Sequence, residues 1–391
     1  MPTQRFPLDA RWALFCKVID NFGDIGVCWR LARTLARDHG QRVTLWVDDP
    51  EALFALCPSA RSTEARFLAE GVEVRRWDEP FEASCAEDTV ADIVVEAFSC
   101  DPPAAYVEAM AQRAPHPVWI NLEYLSAEDW VEGCHGMASP HPRLPLVKHF
   151  FFPGFSTRTG GLLREPGLLD KRARFEADPA LRADFLHRLG VPGPDGDALT
   201  ISLFGYGHPQ IASLLQAWIG SARPVRVLVP EGRMVPQIAQ ALGLSETRAG
   251  TRWRGGALEL VVLPFVPQTD YDRLLWSCGL NFVRGEDSFV RAQWAARPFV
   301  WQIYPQPDDA HRTKLDAFLN RYTHALAADL RAPLTAFWHA WNGDGDPGAC
   351  WDDFASALTR IAGHDRAWSA ALAQHEDLAT ALAKFCQAIV K

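Results

Sequence analysis

Short apolar runs alternate with helical segments along this chain, and the alternation occurs in two separate series. In the first series, Ala13–Ile19 has the length and composition of a strand, and Val27–His39 places apolar side chains on one helical face. The second series begins at the strand-like run Leu199–Phe204 and continues to Phe299–Gln302. Strands that alternate with helices are typical of parallel sheets, because a parallel connection needs a crossover. The pattern therefore predicts an α/β fold with two doubly wound, Rossmann-like domains.

The connection between the two series has weaker periodicity. It contains several prolines between positions 140 and 153 and a glycine pair at 160 and 161, which indicates irregular structure. We predict an N-terminal domain over 1–155, an irregular or helical connection over 156–197 and a C-terminal domain over 198–368. Within the connection, Arg172–Leu189 is predicted to be one helix. The last segment, 369–391, is predicted to be a helix that packs back on the N-terminal domain.

The composition excludes several classes of partner. With 39 Lys and Arg against 48 Asp and Glu, the chain has a formal charge of -9, which disfavours binding to nucleic acid. The N-terminus lacks an apolar signal segment, and no apolar run approaches the roughly 18 residues of a membrane span. We therefore expect a cytoplasmic protein that binds neither nucleic acid nor membrane. The histidines form no metal-binding motif, so no metal site is predicted.

The first motif with chemical potential is the loop Asp20–Gly26, between the first predicted strand and helix. Two facing Rossmann-like domains would bring the carboxyl ends of both sheets to one interdomain cleft, and this loop follows such an end. Its glycines permit close backbone approach, and Asp20 and Asp24 supply two carboxylates that can accept a proton or hold a cation. The structural alternative is that Asp24 caps the helix while Asp20 ends the strand. The loop lacks the G-x-G-x-x-G pattern of a dinucleotide site.

Two motifs in the second series are compatible with a bound nucleotide. In the segment Phe204–His208, two glycines allow a ligand to approach the backbone, and Tyr206 can bind a planar or phosphate group. A structural turn fits the same residues. Phe265 follows a predicted strand, where its ring either stacks on a nucleobase or packs in the core. Gln268 carries the paired donor and acceptor groups that can read a base edge.

The segment Arg284–Arg291 is more specific. Glu286, Asp287 and Ser288 occupy the predicted start of a helix, whose free N–H groups favour anions. Arg284 and Arg291 can neutralise a diphosphate. Acidic residues at a helix start can also be simple caps. The Gly-Glu-Asp-Ser cluster between a strand and an apolar helix is nevertheless a candidate for nucleotide-sugar binding.

A resemblance to a known family rests on four segments. The first is Phe15-Cys-Lys-Val-Ile-Asp-Asn-Phe-Gly-Asp-Ile-Gly-Val-Cys-Trp-Arg30, and the others are Phe204–Tyr206, Pro264–Gln268 and Arg284–Gln293. In these segments the chain resembles the EarP family of bacterial protein-arginine rhamnosyltransferases, which modify elongation factor P. The resemblance implies a GT-B glycosyltransferase fold with two facing Rossmann-like domains. It also implies TDP-β-L-rhamnose as the donor and no other cofactor.

The resemblance further implies an acceptor and roles for individual residues. The acceptor would be one arginine at a loop tip of elongation factor P, glycosylated with inversion and without a metal, which activates this translation factor. Asp20 resembles the general base, and Asp24 resembles a carboxylate that orients or binds the acceptor. Glu286 is implied to be important for activity. The residues implied to bind the donor are Asn21, Phe22, Gly23, Tyr206, Phe265, Gln268, Arg284, Glu286, Asp287, Ser288 and Arg291.

Two other functions fit the same motifs. Another GT-B glycosyltransferase would keep the Glu286 region and use Asp20 on a different acceptor. A noncatalytic nucleotide-sugar-binding module would need no base, so it should retain its function in an Asp20→Asn variant. A dehydrogenase is disfavoured because neither glycine segment completes the dinucleotide fingerprint.

Overall fold

Two parallel-rich sheets organise this chain, each in its own unit. The structure is a computed structural model that describes residues 10–20, 22–77, 90–193, 196–306 and 309–390. One unit, here called the N-terminal unit, is formed by Met1–Pro166 together with Leu372–Lys391, and the C-terminal unit is Gly167–Ala371. Among the described residues, no helix combines the length and apolarity needed to cross a bilayer.

The N-terminal unit contains an eight-stranded sheet with strand order β3-β4-β2-β1-β5-β6-β8-β7. The edge strands β3 and β7 are antiparallel to their neighbours, and the inner pairs are parallel. The strands are β1 (Arg11–Cys16), β2 (Arg42–Val47), β3 (Arg66–Ala69), β4 (Val72–Arg76), β5 (Ile93–Ala97), β6 (Val118–Leu122), β7 (Ala138–Pro140) and β8 (Val147–Phe151). The helices are α1 (Gly23–Arg37), α2 (Pro50–Leu56), α3 (Ala104–Gln112) and α4 (Val131–Cys134), with a single 3-10 turn at Pro58–Ala60.

The strand β1 lies between β2 and β5, so the loop that follows it opens at the middle of the carboxyl edge of the sheet. Its side chains are buried on both faces, as expected for a central parallel strand. Phe15 stacks on Trp46 of β2 with ring centroids 5.6 Å apart, and its ring meets Tyr106 of α3 edge to face at 4.8 Å. This aromatic packing anchors the residues that lead into the loop.

The C-terminal unit contains a six-stranded sheet with strand order β11-β12-β10-β9-β13-β14, in which only the edge strand β11 is antiparallel. The strands are β9 (Leu199–Leu203), β10 (Val225–Pro230), β11 (Arg252–Gly255), β12 (Leu258–Leu263), β13 (Leu280–Arg284) and β14 (Phe299–Gln302). The helices are α5 (Leu168–Ala177), α6 (Pro179–Arg188), α7 (Ile211–Ile219), α8 (Met234–Leu242), α9 (Gln268–Ser277), α10 (Asp287–Ala295), α11 (Ala310–Thr323), α12 (Ala328–Trp341) and α13 (Trp351–Leu372).

The last helix, α14 (Leu378–Val390), belongs to the N-terminal unit. The ring of Phe385 lies 5.4 Å from that of Phe151 at the end of β8. The Leu378 N–H donates to the Leu162 carbonyl at 3.1 Å. Burial of the apolar face of α14 therefore joins the end of the chain to the N-terminal sheet.

The structure differs from the sequence prediction at several elements. The first strand is Arg11–Cys16 rather than Ala13–Ile19, and the first helix is Gly23–Arg37 rather than Val27–His39. The helix predicted over Arg172–Leu189 is two helices, α5 and α6. Helical backbone is disfavoured at Asp178 because it precedes Pro179. The Asp178 side chain instead caps α6 by accepting the Ala180 N–H at 2.9 Å. The helix predicted to start at Ser369 is also wrong, since α13 continues to Leu372 before α14 begins. Part of the stretch predicted to be irregular forms β7 and β8, which extend the sheet beyond β6.

A buried carboxylate lies between α11 and α13. Asp365 is 2% exposed and accepts a hydrogen bond from the Tyr322 hydroxyl. Burial raises the pKa of Asp365 to about 7, although the Tyr322 hydrogen bond acts in the opposite direction. From about pH 4, the ordinary pKa, up to this raised value, the native chain holds a proton that the unfolded chain has released. The free energy of unfolding should therefore fall as the pH rises through this range.

Replacing the Asp365 carboxyl by a neutral amide, in Asp365→Asn, should remove this fall in the free energy of unfolding with rising pH. At about pH 8 we expect the variant to exceed the parent in free energy of unfolding by about 2–4 kcal/mol, with the difference vanishing towards about pH 4. Urea unfolding at several pH values measures it. Asp352→Asn, which changes an exposed carboxylate on the same helix, is the matched control. Equal pH dependence in parent and Asp365→Asn would contradict the prediction.

Candidate active site

The loop after β1 is held in place by carboxylates from two elements. The Val18 N–H donates to Asp48 Oδ1 at 2.8 Å, and Asp48 follows the neighbouring strand β2. The N–H groups of Ile19 and Asp20 both donate to Asp24 Oδ2, at 2.8 and 2.9 Å. Three successive backbone N–H groups are thus fixed by two carboxylates, which determines the backbone conformation at Asp20.

Asp24 lies in the first turn of α1 and is only 3% exposed. Its side chain does not cap this helix: the N-cap position is Phe22, and the carboxylate faces the residues before the helix. The structural alternative, in which Asp24 caps α1, is therefore wrong. Burial raises the pKa of Asp24, while the two N–H donors and the Tyr124 hydroxyl, 3.3 Å from Oδ1, act in the opposite direction.

Asp20 is half-buried and immediately precedes the turn into α1. Its carbonyl accepts the Gly23 N–H at 2.6 Å. A Cβ atom on Gly23 would lie 2.7 Å from Asp20 Oδ2, so a side chain at position 23 would displace the Asp20 carboxylate. Phe22, also half-buried, immediately precedes Gly23, the first residue of α1. Asn21, predicted to contact the donor, lies outside the described residues.

The loop after β5 lies at the same carboxyl edge of the N-terminal sheet. After β5, Phe98, Ser99 and Asp101 adopt left-handed backbone conformations, with φ of 58°, 54° and 50°. Such conformations are costly for residues other than glycine and cluster at functional sites. Asn121, near the end of β6, holds this loop: its Oδ1 accepts the Ser99 N–H at 3.2 Å, and its Nδ2 donates to Ser99 Oγ at 2.9 Å.

In the C-terminal unit, the glycine-containing segment after β9 is held by Gln302 at the end of β14. The Gln302 Oε1 accepts the Tyr206 N–H at 2.7 Å, and its Nε2 donates to the Gly207 carbonyl at 2.7 Å. A Cβ atom on Gly205 would lie 2.8 Å from the same Oε1, and Gly207 has a φ of 114°. Both glycines are therefore required by this two-point contact.

Arg284 supports the same segment from β13. Its guanidinium carbon lies 4.4 Å from the ring centroid of Phe204 and 4.6 Å from that of Tyr206. Its Nη1 donates to the Gly205 carbonyl at 3.0 Å. The Tyr206 ring is half-buried and also meets Tyr304 edge to face at 5.4 Å. Cation–π contact and a backbone hydrogen bond thus position the aromatic ring predicted to bind the nucleotide.

Several of the predicted donor-binding residues lie together at the start of α10. Gln268 Nε2 donates to Asp287 Oδ2 at 3.2 Å. The Ser288 hydroxyl accepts the Arg284 N–H at 3.0 Å and also donates to the Arg284 carbonyl. Glu286 is the half-buried residue immediately before α10. Phe265 lies half-buried beyond the end of β12.

Arg291, by contrast, is part of a buried ion pair. Its side chain is fully buried, and its Nε and Nη2 donate to the two carboxylate oxygens of Asp272 on α9, both at 2.7 Å. Such a bidentate pair holds α10 against α9 and uses the planar fork of the guanidinium. The geometry favours this structural role over the predicted contact with a diphosphate.

Among the described residues, no three His, Cys, Asp or Glu side chains converge in a metal-binding arrangement.

Three residues that position these loops were not predicted from the sequence: Asp48, Tyr124 and Gln302. Each follows or ends a strand of a predicted series, at the carboxyl edge where ligands bind in such sheets. Their position at strand ends could have identified them from the sequence as candidate site residues. Their partners were not predictable, because the contacts join segments that are 30 to 100 residues apart in the chain.

The contact made by Gln302 leads to a prediction for donor affinity. Gln302→Leu keeps the approximate side-chain volume but removes both hydrogen bonds to the Tyr206–Gly207 backbone. We expect the dissociation constant for TDP, the nucleotide of the donor that the resemblance implies, to rise about tenfold, because a mobile loop presents Tyr206 less often in the binding conformation. Isothermal titration calorimetry measures it, with the exposed Gln216→Leu on α7 as the control. Unchanged TDP affinity would contradict the proposed function of this contact.

Comparison with known proteins extends over both units. Residues 12–387 match the family described as Elongation-Factor P (EF-P) rhamnosyltransferase EarP. The chain is 50% identical over 378 residues to a protein-arginine rhamnosyltransferase of Pseudomonas putida, covering 97% of this chain and 99% of that protein. It is 46% identical to the protein of the same name from Pseudomonas aeruginosa, covering 96% of this chain and 98% of that protein.

Solved structures show the same relationship. A structure described as the structural basis for EarP-mediated arginine glycosylation of translation elongation factor EF-P superposes with a TM-score of 0.69 at 38% identity, covering 97% of this chain and 99% of that chain. A glycosyltransferase from Rickettsia africae, 8% identical, covers 98% of this chain and 99% of that chain with a TM-score of 0.54. The predicted α/β fold of the GT-B glycosyltransferase class is confirmed.

Proposed function

Because this chain belongs to the EarP family of elongation factor P rhamnosyltransferases, we propose that it transfers L-rhamnose from TDP-β-L-rhamnose to one arginine of elongation factor P. Membership of the family makes it a protein-arginine rhamnosyltransferase, with a nucleotide-sugar donor and a protein arginine as acceptor. The identity of the donor, the acceptor protein and the inverting stereochemistry are parts of the proposal. The proposed setting is the cytoplasm, where translation factors act.

One observation carries the proposal: two carboxylates, Asp20 in the loop after β1 and Asp24 in the first turn of α1, lie at the middle of the carboxyl edge of the N-terminal sheet. An arginine acceptor has a guanidinium that stays protonated throughout the physiological pH range, so its nitrogens are poorly nucleophilic. The enzyme must both hold this cation and remove a proton as the new bond forms. Paired carboxylates suit both tasks, because they accept charge-assisted hydrogen bonds from a planar guanidinium.

We assign the general base to Asp20 and the orienting role to Asp24. Asp24 uses Oδ2 for two backbone N–H groups, so this oxygen already has a structural task. Asp20 is the more exposed of the two carboxylates and is positioned by those same hydrogen bonds. In the proposed step, Asp20 takes a proton from one guanidinium nitrogen while that nitrogen forms a bond to the anomeric carbon.

The bond between the anomeric carbon and the diphosphate breaks in the same step, and its electron pair leaves with TDP. Attack from the face opposite the leaving group converts the β-linked donor into an α-linked product, without a covalent sugar intermediate. This displacement needs one carboxylate at the reacting nitrogen, in contrast to the paired roles in retaining glycosidases.

The donor is proposed to bind at the carboxyl edge of the C-terminal sheet. Tyr206, Phe265 and Gln268 would surround the thymine nucleotide, and Glu286, Asp287 and Ser288 the ribose and diphosphate. The N–H groups at the start of α10 would stabilise the negative charge that develops on the leaving group, so no metal is proposed. Arg284 would act mainly by holding the Phe204–Tyr206 segment, for which its two ring contacts are the support.

The test is the intact mass of elongation factor P after incubation with this protein and TDP-β-L-rhamnose. We expect one added deoxyhexose, localised to an arginine by fragmentation, and an α-anomeric signal by NMR. An acceptor with lysine in place of that arginine is the control and should remain unmodified. No addition to a folded acceptor, when the enzyme demonstrably binds TDP, would reject the proposed acceptor.

A further inference from the structure

We propose that Tyr124 is a positioning residue for the acceptor step, acting through Asp24. This inference rests on the proposed function of the Asp20–Asp24 loop. Tyr124 follows β6 at the carboxyl edge of the N-terminal sheet, and its hydroxyl donates to Asp24 Oδ1 at 3.3 Å. Because Oδ2 of the same carboxylate binds the N–H groups of Ile19 and Asp20, both oxygens of Asp24 are engaged. Tyr124 therefore fixes the rotation of the carboxylate that positions Asp20.

The Tyr124 ring is itself held by stacking. It lies against the ring of Phe98 with centroids 4.3 Å apart and planes within 16° of each other. Phe98 is buried, has a left-handed φ of 58°, and donates its N–H to the Leu122 carbonyl at 2.7 Å. The left-handed backbone thus presents an aromatic face to Tyr124, which gives the unusual conformation of Phe98 a specific use.

These contacts link the ends of three neighbouring strands. The loop after β5 carries Phe98, the segment after β6 carries Tyr124, and Asp20 and Asp24 lie after β1, Asp24 in the first turn of α1. Removing the Tyr124 hydroxyl should leave the stacked ring in place and remove the hydrogen bond to Asp24 Oδ1. A role in holding Asp24 predicts a change in the transfer step without a change in donor affinity.

The charged and titratable groups around Asp24 determine the direction of the pH effect. The groups that act on Asp24 are Asp48 after β2 and Tyr124 after β6, with the backbone N–H groups of Ile19 and Asp20, and Cys16 on β1 interacts with it electrostatically. Asp48 raises the pKa of Asp24, and the Tyr124 hydrogen bond lowers it. Loss of the Tyr124 hydroxyl should therefore raise the pKa of Asp24, so that the ionised form is lost at a higher pH than in the parent.

The experiment is a pH profile of rhamnosyl transfer by Tyr124→Phe. We expect kcat to fall about tenfold near neutral pH, the size expected for a hydrogen bond to a charged group, with TDP affinity within twofold of the parent. The acidic limb of the profile should move to higher pH. A profile that coincides with that of the parent, or a tenfold loss of TDP affinity, would overturn the inference.

Tyr106→Phe is the matched control, because it removes a buried tyrosine hydroxyl from the same unit. That hydroxyl accepts the Ala91 N–H at 3.1 Å, before the start of β5 and thus at the opposite edge of the sheet. It should lower the melting temperature without moving the acidic limb. An equal shift in both variants would show a general effect of lost stability and overturn the inference. Parent enzyme that fails to modify any arginine would instead refute the proposed function itself.

Discussion

Asp20→Asn is expected to lower kcat for rhamnosyl transfer by about a thousandfold while leaving TDP affinity within twofold of the parent. General bases typically contribute about 10²–10⁴ to the rate, and asparagine keeps the shape of the side chain but cannot take the proton. Single-turnover transfer to elongation factor P measures the chemical step, and calorimetry measures TDP binding. Activity within tenfold of the parent would reject Asp20 as the base.

Two further variants make this result specific. Asp38→Asn changes an exposed carboxylate next to the opposite end of α1, so it should leave transfer unchanged. Asp24→Asn retains an oxygen that can accept the Ile19 and Asp20 N–H groups, and we expect a smaller loss than in Asp20→Asn. If Asp24→Asn abolishes transfer and Asp20→Asn does not, Asp24 is the general base and Asp20 the orienting carboxylate. The pKa of Asp24, which burial raises, is compatible with that assignment.

The second large effect concerns stability. Arg291→Met should reduce the free energy of unfolding by about 3–5 kcal/mol, because it leaves the Asp272 carboxylate without the guanidinium that now binds both its oxygens. Urea unfolding measures the loss. A destabilisation below about 1 kcal/mol would contradict the structural importance of this pair, because surface ion pairs reach only that value.

The double variant Arg291→Met with Asp272→Leu separates structure from ligand binding. Replacing both partners of a buried ion pair by apolar residues is often close to neutral, so most of the lost stability should return. If Arg291 serves only to hold α10 against α9, the double variant should bind TDP within about twofold of the parent. A folded double variant that has lost TDP binding would restore the sequence-based prediction that Arg291 contacts the diphosphate.

Much of the fold follows from local patterns. The strand β14 begins and ends at the predicted residues, Phe299 and Gln302, because a buried parallel strand reads as a continuous apolar run between turn residues. The errors occur where local pattern is ambiguous. One helix was predicted across Asp178 and Pro179, although a capping residue followed by proline is a helix-start signal. The strand β8 was missed because its pairing with β6 is a non-local contact.

The sequence by itself determined the family, the α/β alternation and the loops that contain the candidate chemistry. These are properties of contiguous segments, such as the motif from Phe15 to Arg30, and strand ends can be located without knowing their neighbours. Tertiary structure alone decided the partners within those loops. It brought Tyr124 to Asp24, Gln302 to Tyr206 and Asp272 to Arg291. The physical reason is that a side chain's type specifies which bonds it can make, whereas the strand order and helix packing decide which distant group comes within 3 Å or so of it.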